Sequence, residues 1–119
     1  MSYTPEHEAF RATLRRFVDR EILPHIDAWE EAKSFPRALY TRAAEVGLLG
    51  LGFPEEHGGT PSDSFHAIIA CEELARAGSG GLSAGLMSHT IATPPIVALG
   101  SEALKARLVP ATLRGELVA

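Results

Sequence analysis

Apolar residues recur along most of this chain at helical spacing. Phe10, Leu14, Phe17, Val18 and Ile22 fall at i, i+4, i+7, i+8 and i+12, one stripe of an amphipathic helix. Thr4 suits its N-cap and Pro5 its first turn, and Pro24 should end or bend it near Leu23. A second helix is expected from Pro36, with Leu39, Tyr40, Ala43, Ala44 and Val46 turned inward and Gly47 as its stop. Leu48 to Gly59 begins apolar and ends glycine-rich; it reads as a mostly buried loop with Pro54, Gly58 and Gly59 as turn formers. A third helix should run from Ser62 or Asp63 to Ala77. A fourth follows the glycines at 78, 80 and 81, takes its bulk from Leu82, Leu86, Ile91 and Ile96, and should kink or break at Thr93–Pro94. A fifth, short helix starts at N-cap Ser101 and runs to about Val109, before Pro110. The sole candidate strand is Leu117-Val118-Ala119. The pattern predicts an all-α fold: a bundle of five or six mainly antiparallel helices, one domain over residues 1–119.

The fourth helix stands apart because Ala77 to Ser101 contains no Asp, Glu, Lys or Arg. The stretch is long enough to span a bilayer. It also holds several glycines, Pro94-Pro95, His89 and repeated Ser and Thr. A helix buried on most sides of a soluble protein, central in the bundle, fits that composition better than a membrane span.

The remaining composition is that of an ordinary globular chain. Of 119 residues, 45% are hydrophobic and 22% charged, which argues against disorder. Eleven Lys and Arg against fifteen Asp and Glu give a net charge of −4, and no basic stripe is present, so nucleic acid is not an expected partner. Cys71 is the single cysteine and cannot form an internal disulfide. The N-terminus lacks the features of a secretory signal or a transit peptide, and a cytoplasmic location is expected.

The sequence holds no complete catalytic constellation. His7, His25, His57, His66 and His89 include no i, i+4 pair and no His-Glu-x-x-His, so no metal site is expected. No nucleophile elbow is expected either. Gly78-Ser79-Gly80-Gly81 is not a G-x-G-x-x-G phosphate loop and reads better as a tight helix–helix connection. Several residues keep two readings. His89 is either a polar contact or proton relay in a pocket, or a histidine hydrogen-bonded at an interface. Glu72 either pairs with Arg76 at i, i+4 or is a buried carboxylate with a partner elsewhere. Glu55-Glu56-His57 is either a catalytic cluster or a set of solvated loop charges. Trp29 reads as a packing anchor.

Five segments, in order, resemble the N-terminal helical domain of the acyl-CoA dehydrogenase family. They are Arg15-Arg16-Phe17-Val18-Asp19-Arg20-Glu21-Ile22-Leu23-Pro24; Phe35-Pro36 with Ala44-Glu45-Val46-Gly47-Leu48-Leu49-Gly50; Phe53-Pro54-Glu55-Glu56-His57-Gly58-Gly59; Glu72-Glu73-Leu74-Ala75-Arg76; and Ile96-Val97-Ala98-Leu99-Gly100-Ser101-Glu102, with Pro110 and Gly115-Glu116 behind it. The resemblance covers essentially the whole chain. Family members continue into a β-domain and a second helical bundle. Their flavin-binding segment and catalytic glutamate have no counterpart here, so the resemblance implies a fragment or an isolated domain. For the parent it implies FAD, an acyl-CoA substrate, an electron-transfer flavoprotein as partner and a homo-oligomer, dimer or tetramer. For this chain it implies no catalytic, cofactor-binding or metal-binding residue, no FAD bound by the chain alone, and no activity on its own. It places Ser83, Ala84, Met87 and Ile91 along the acyl chain of the substrate; Ser83, Met87 and Ile91 share one face if the helix is continuous. Met87 and Ile91 as plain core is the competing reading. A related flavin oxidase or monooxygenase, and a stand-alone helical interaction domain, are the alternatives for function.

Overall fold

The structure, a computed structural model, describes residues 3–118. Seven α-helices occur among them: α1 (Pro5–Phe17), α2 (Ile26–Ala32), α3 (Ala38–Glu45), α4 (Ser64–Ala75), α5 (Gly80–Leu86), α6 (His89–Leu99) and α7 (Glu102–Leu113). The described residues form no strand, and Leu117 and Val118 are exposed and irregular; Ala119, the last residue of that candidate strand, lies outside the described residues. The only sheet-like pairing described is a single parallel bridge between Leu51 and Thr60.

The end of the first helix is wider than the sequence suggests. Regular α1 bonding stops at Phe17, a π-turn spans Val18–Ile22 with the Leu23 N–H bonded to the Val18 carbonyl, and one 3₁₀ turn, Leu23–His25, leads into α2. Pro24 offers no N–H for the carbonyl four residues back, and the looser turn ahead of it accommodates that loss without stopping the helical path. Trp29 therefore lies within α2 rather than in a connecting loop. It is half-buried against the core and stacks on His25 with ring centroids 5.3 Å apart.

The main core joins Leu14, Phe17, Val18 and Ile22 to Leu39, Ala43, Leu48, Leu49, Ile69, Leu74, Leu82 and Leu86. A second cluster joins Phe53 to Val109 and Leu113 of α7, with Ile96 and Val97 of α6 packed against it. The 48–59 loop spans both: Leu48 and Leu49 enter one cluster and Phe53 the other, while Glu55 and Glu56 stay exposed in a 3₁₀ turn with His57. A Cβ on Gly59 would lie 2.0 Å from the Phe53 carbonyl oxygen, so only glycine lets this loop close. Gly47 takes φ +83° after α3, the stop expected of it.

Three proline and burial expectations are corrected. The uncharged stretch does not break at Thr93–Pro94; it breaks at Met87–Ser88, and Pro94-Pro95 lies inside α6. The carbonyls these prolines cannot bond belong to Thr90 and Ile91, both exposed residues, so the lost donors leave no buried acceptor. For the same reason α7 continues through Pro110 to Leu113, since the bypassed carbonyl is that of exposed Ala106. The uncharged segment is also not buried on most sides. Residues 80–99 are long and apolar enough by composition to cross a membrane, yet in α6 only His89 and Thr93 are buried, while Ile91 is 81% and Leu99 87% exposed.

Candidate functional site

Two regions carry polar groups placed for more than solvation. The first is the seam between α1 and α4. Both helices begin with a capping box closed by histidine. The His7 N–H donates to Thr4 Oγ1 (3.2 Å) and the Thr4 N–H to His7 Nδ1 (2.9 Å). At α4 the His66 N–H donates to Asp63 Oδ1 (3.2 Å) and the Asp63 N–H to His66 Nδ1 (3.2 Å). His7 is buried, and its Nε2 donates to Asp63 Oδ2 at 2.8 Å, linking the two caps. That hydrogen bond, aided by those from His66, lowers the Asp63 carboxyl to about 2.

His7, Asp63 and His66 thus gather three ligand-type groups within 4.8 Å of one another, a juxtaposition that residue spacing alone did not show. Their donor chemistry does not suit a cation. Each Nδ1 accepts a backbone N–H, so the remaining proton of neutral His7 sits on Nε2, the atom facing Asp63. A metal at that nitrogen would displace its bond to Asp63, force the proton onto Nδ1 and leave the Thr4 N–H without its acceptor. The cluster is a link between two helix starts.

Farther along the seam Glu73 is 1% exposed and takes hydrogen bonds from Arg11 (3.0 Å), Arg15 (3.2 Å) and Arg76 (3.1 Å). Burial alone would raise the Glu73 pKa, but the bonds from Arg15 and Arg11 outweigh it and hold the carboxyl below its ordinary value. Arg76 also reaches Asp19 (2.7 Å), and Glu72 pairs with Arg11 at 3.4 Å. The expected Glu72–Arg76 pair is therefore replaced. Glu73, not Glu72, is the buried carboxylate, because position 73 faces α1 and its charge is retained only by drawing in three guanidinium groups.

The second region is α5 and α6. The Met87 N–H bonds to the Ser83 carbonyl at 3.1 Å, so these two residues keep their i, i+4 relation. Met87 then takes φ −103°, ψ 17°, and the helix restarts at His89. Ile91 belongs to that new helix, so the i+8 spacing no longer places it on the face of Ser83. Ser83 and Met87 are half-buried, Ala84 and Ile91 exposed, and Met87 packs on the main core. Gly81-Leu82-Ser83-Ala84-Gly85 spells G-x-S-x-G, the pattern of a nucleophile elbow. It lies within α5 rather than on a strand-to-helix turn, so the strained elbow that exposes a nucleophile is missing.

His89 resolves to the interface reading. It is buried, its Nε2 donates to the Leu49 carbonyl at 2.7 Å, and its ring stacks on Phe53 with centroids 5.7 Å apart. Burial holds its pKa below the ordinary histidine value, partly opposed by the Leu49 carbonyl. A groove of about 520 Å³ runs beside α5, lined by Trp29, Phe35 and Tyr40 together with Gly81, Leu82 and Gly85. None of Ser83, Ala84, Met87 or Ile91 borders it. Nor does α5 offer a diphosphate cradle. Ser79 Oγ already accepts the Leu82 N–H at 3.1 Å, and the groove wall beside it is aromatic, so the start of α5 does not fit a flavin diphosphate.

Residues 4–116 match the family profile "Acyl-CoA dehydrogenase, N-terminal domain". The chain is 34% identical over 116 residues to the long-chain specific mitochondrial acyl-CoA dehydrogenase of Sus scrofa, covering 98% of this chain and 27% of that protein. A Mycobacterium smegmatis structure classed with the acyl-CoA dehydrogenases superposes with a TM-score of 0.91 at 47% identity, over 98% of this chain and 31% of that one. An acyl-CoA dehydrogenase from Bacillus anthracis, crystallised with FAD, gives a TM-score of 0.87 at 32% identity, over 99% of this chain and 21% of that one. The chain thus spans less than a third of the length of these relatives.

Proposed function

Because the chain belongs to the acyl-CoA dehydrogenase family and corresponds to its N-terminal helical domain, we propose that it serves an FAD-dependent enzyme that dehydrogenates an acyl-CoA thioester between Cα and Cβ. In that enzyme FAD accepts the hydride, and the base that removes the α-proton comes from the remainder of the protein. The part assigned to this chain is passive. It lines the acyl chain with Ser83, Ala84, Met87 and Ile91, excludes water there, and presents an apolar flank to the rest of the enzyme. The observation that carries the reading is that flank: an uncharged α5–α6 surface with Ala84, Ile91 and Leu99 open on a chain otherwise rich in charge. An electron-transfer flavoprotein partner, a homo-oligomeric parent and a cytoplasmic location belong to the same reading, and the 119 residues alone bind no FAD and turn over no substrate.

The test is Met87→Ala in the full-length enzyme, with kcat/KM measured across an acyl-CoA length series. Shortening Met87 opens room for about two or three methylenes, each worth roughly 0.8 kcal/mol when buried. Preference moves toward longer acyl chains by about tenfold. Met87 also packs on the core, so the variant loses stability on either reading, and the length ratio decides. A loss of equal size at every chain length rejects Met87 as a pocket residue.

A further inference from the structure

The break at Met87–Ser88 has no proline, and side-chain hydrogen bonds fasten the chain on both sides of it. Across it the helix tightens to i→i−3 bonds: Ser88 N–H to Gly85 O (3.4 Å), Thr90 N–H to Met87 O (3.1 Å) and Ile91 N–H to Ser88 O (3.2 Å). The Gly85 carbonyl receives a second, shorter bond from Tyr40 Oη of α3 at 3.0 Å. The Met87 carbonyl receives the Thr90 hydroxyl at 2.7 Å. On the far side of the break, the His89 side chain is tied to the Leu49 carbonyl and lies on Phe53. Gly85 lies close under Phe35: a Cβ there would sit 3.2 Å from the ring. Two residues outside the acyl-facing set therefore grip the two ends of a two-residue interruption, with Met87 between them.

We infer that Tyr40 and His89 are positioning residues for substrate selection: by fixing the break, they fix how far Met87 projects and so the depth of the acyl site. This rests on the reading of Met87 as an acyl-contact residue. In a continuous α5–α6 helix Met87 would leave φ −103°, ψ 17° for helical values, and α6 would be re-aimed relative to its side chain. Losing either grip relaxes the interruption toward that state and changes which chain length fits best, while the reacting thioester end of the site is untouched. Neither residue touches substrate in this account.

The experiment uses the full-length enzyme and four variants: Tyr40→Phe, His89→Leu, His89→Gln and Met87→Ala. Each is measured for kcat/KM across the acyl-CoA series, for flavin content and for melting temperature. Tyr40→Phe removes only the hydroxyl donor, and the expected result is a threefold to tenfold change in the ratio of long-chain to short-chain kcat/KM, with flavin content unchanged. His89→Leu shifts the ratio in the same way. His89→Gln restores a donor toward Leu49 and returns the ratio toward wild type. If Met87→Ala moves the ratio but Tyr40→Phe and His89→Leu lower all substrates alike, the positioning role is overturned and the acyl-wall reading stands. If Met87→Ala leaves the ratio unmoved, the acyl-wall reading falls, and the positioning role with it.

Discussion

Between α1 and α4 the seam is charged and closed. Glu73 is almost fully buried under three arginines, and the two helix starts are joined through His7 and Asp63. Along α5 and α6 there is no charged side chain at all, hydrogen bonds run from side chains to backbone carbonyls, and large apolar groups face outward. The difference shows that a buried charge and an exposed hydrophobe answer to different surroundings. Glu73 is explained wholly by groups within this chain. Ile91 and Leu99 are left largely uncovered by the described residues, as exposed apolar groups at an interaction surface are.

The sharpest way to break this contrast is to remove the charge at the centre of the closed seam. Glu73→Gln leaves three guanidinium groups without their shared carboxylate, and stability should fall by about 3 kcal/mol. Thermal and urea unfolding of the chain measure it; a change under about 1 kcal/mol would place Glu73 among ordinary surface ion pairs.

A smaller effect separates the regions by pH. His89 folds in its neutral form, with a pKa lowered by burial from 6.5. The unfolded chain therefore takes up the proton first as pH falls below about 6.5, and the folded state loses stability until the depressed folded value is reached. Asp63 acts in the same direction at lower pH: its folded pKa of about 2 lies below the ordinary 3.8, so its contribution is present above pH 4 and is lost on further acidification. His89→Gln should remove the first limb, leaving the second. Unfolding midpoints at pH 7.5, 6.5 and 5.5 would show it, and an identical slope in wild type and variant contradicts the assignment.

The smallest effect tests the open face. Ile91→Ser and Leu99→Ser should change the stability of the chain by no more than about 0.5 kcal/mol, because the described residues leave those side chains largely uncovered. A loss of 2 kcal/mol or more, read by urea titration, would show that the chain buries this face by itself.

Much of this was legible in the sequence, for identifiable reasons. Thr4, Ser101 and Gly47 act through their immediate neighbours, so local chemistry was enough to place them. The apolar residues of the 48–59 loop announced the burial of Leu48, Leu49 and Phe53, but the loop is not mostly buried, since Gly52, Glu55, Glu56 and Gly58 are exposed. What failed had distant causes. Pro94 and Pro110 read as helix stops because the exposure of the carbonyls they bypass is a tertiary fact. The Met87–Ser88 break has no residue signature, since its anchors are a tyrosine from α3 and a carbonyl from the loop. Glu72 and Glu73 are adjacent, and only the approach of α1 decides which is buried. Of the four acyl-facing candidates, spacing correctly related Ser83 to Met87 but not to Ile91, since a 3.6-residue period holds only within one unbroken helix.

The closed seam also has a bearing on time. His7 and Asp63 lie 56 positions apart, and Arg15 and Glu73 lie 58. Bringing such ends together costs about 3.5 kcal/mol of loop-closure entropy before any bond repays it. The α6–α7 contact, with two residues between its helices, carries almost none of that cost. On that cost the C-terminal helices are expected to assemble before the first and fourth, and the Glu73 cluster is then expected to slow unfolding more than it speeds folding.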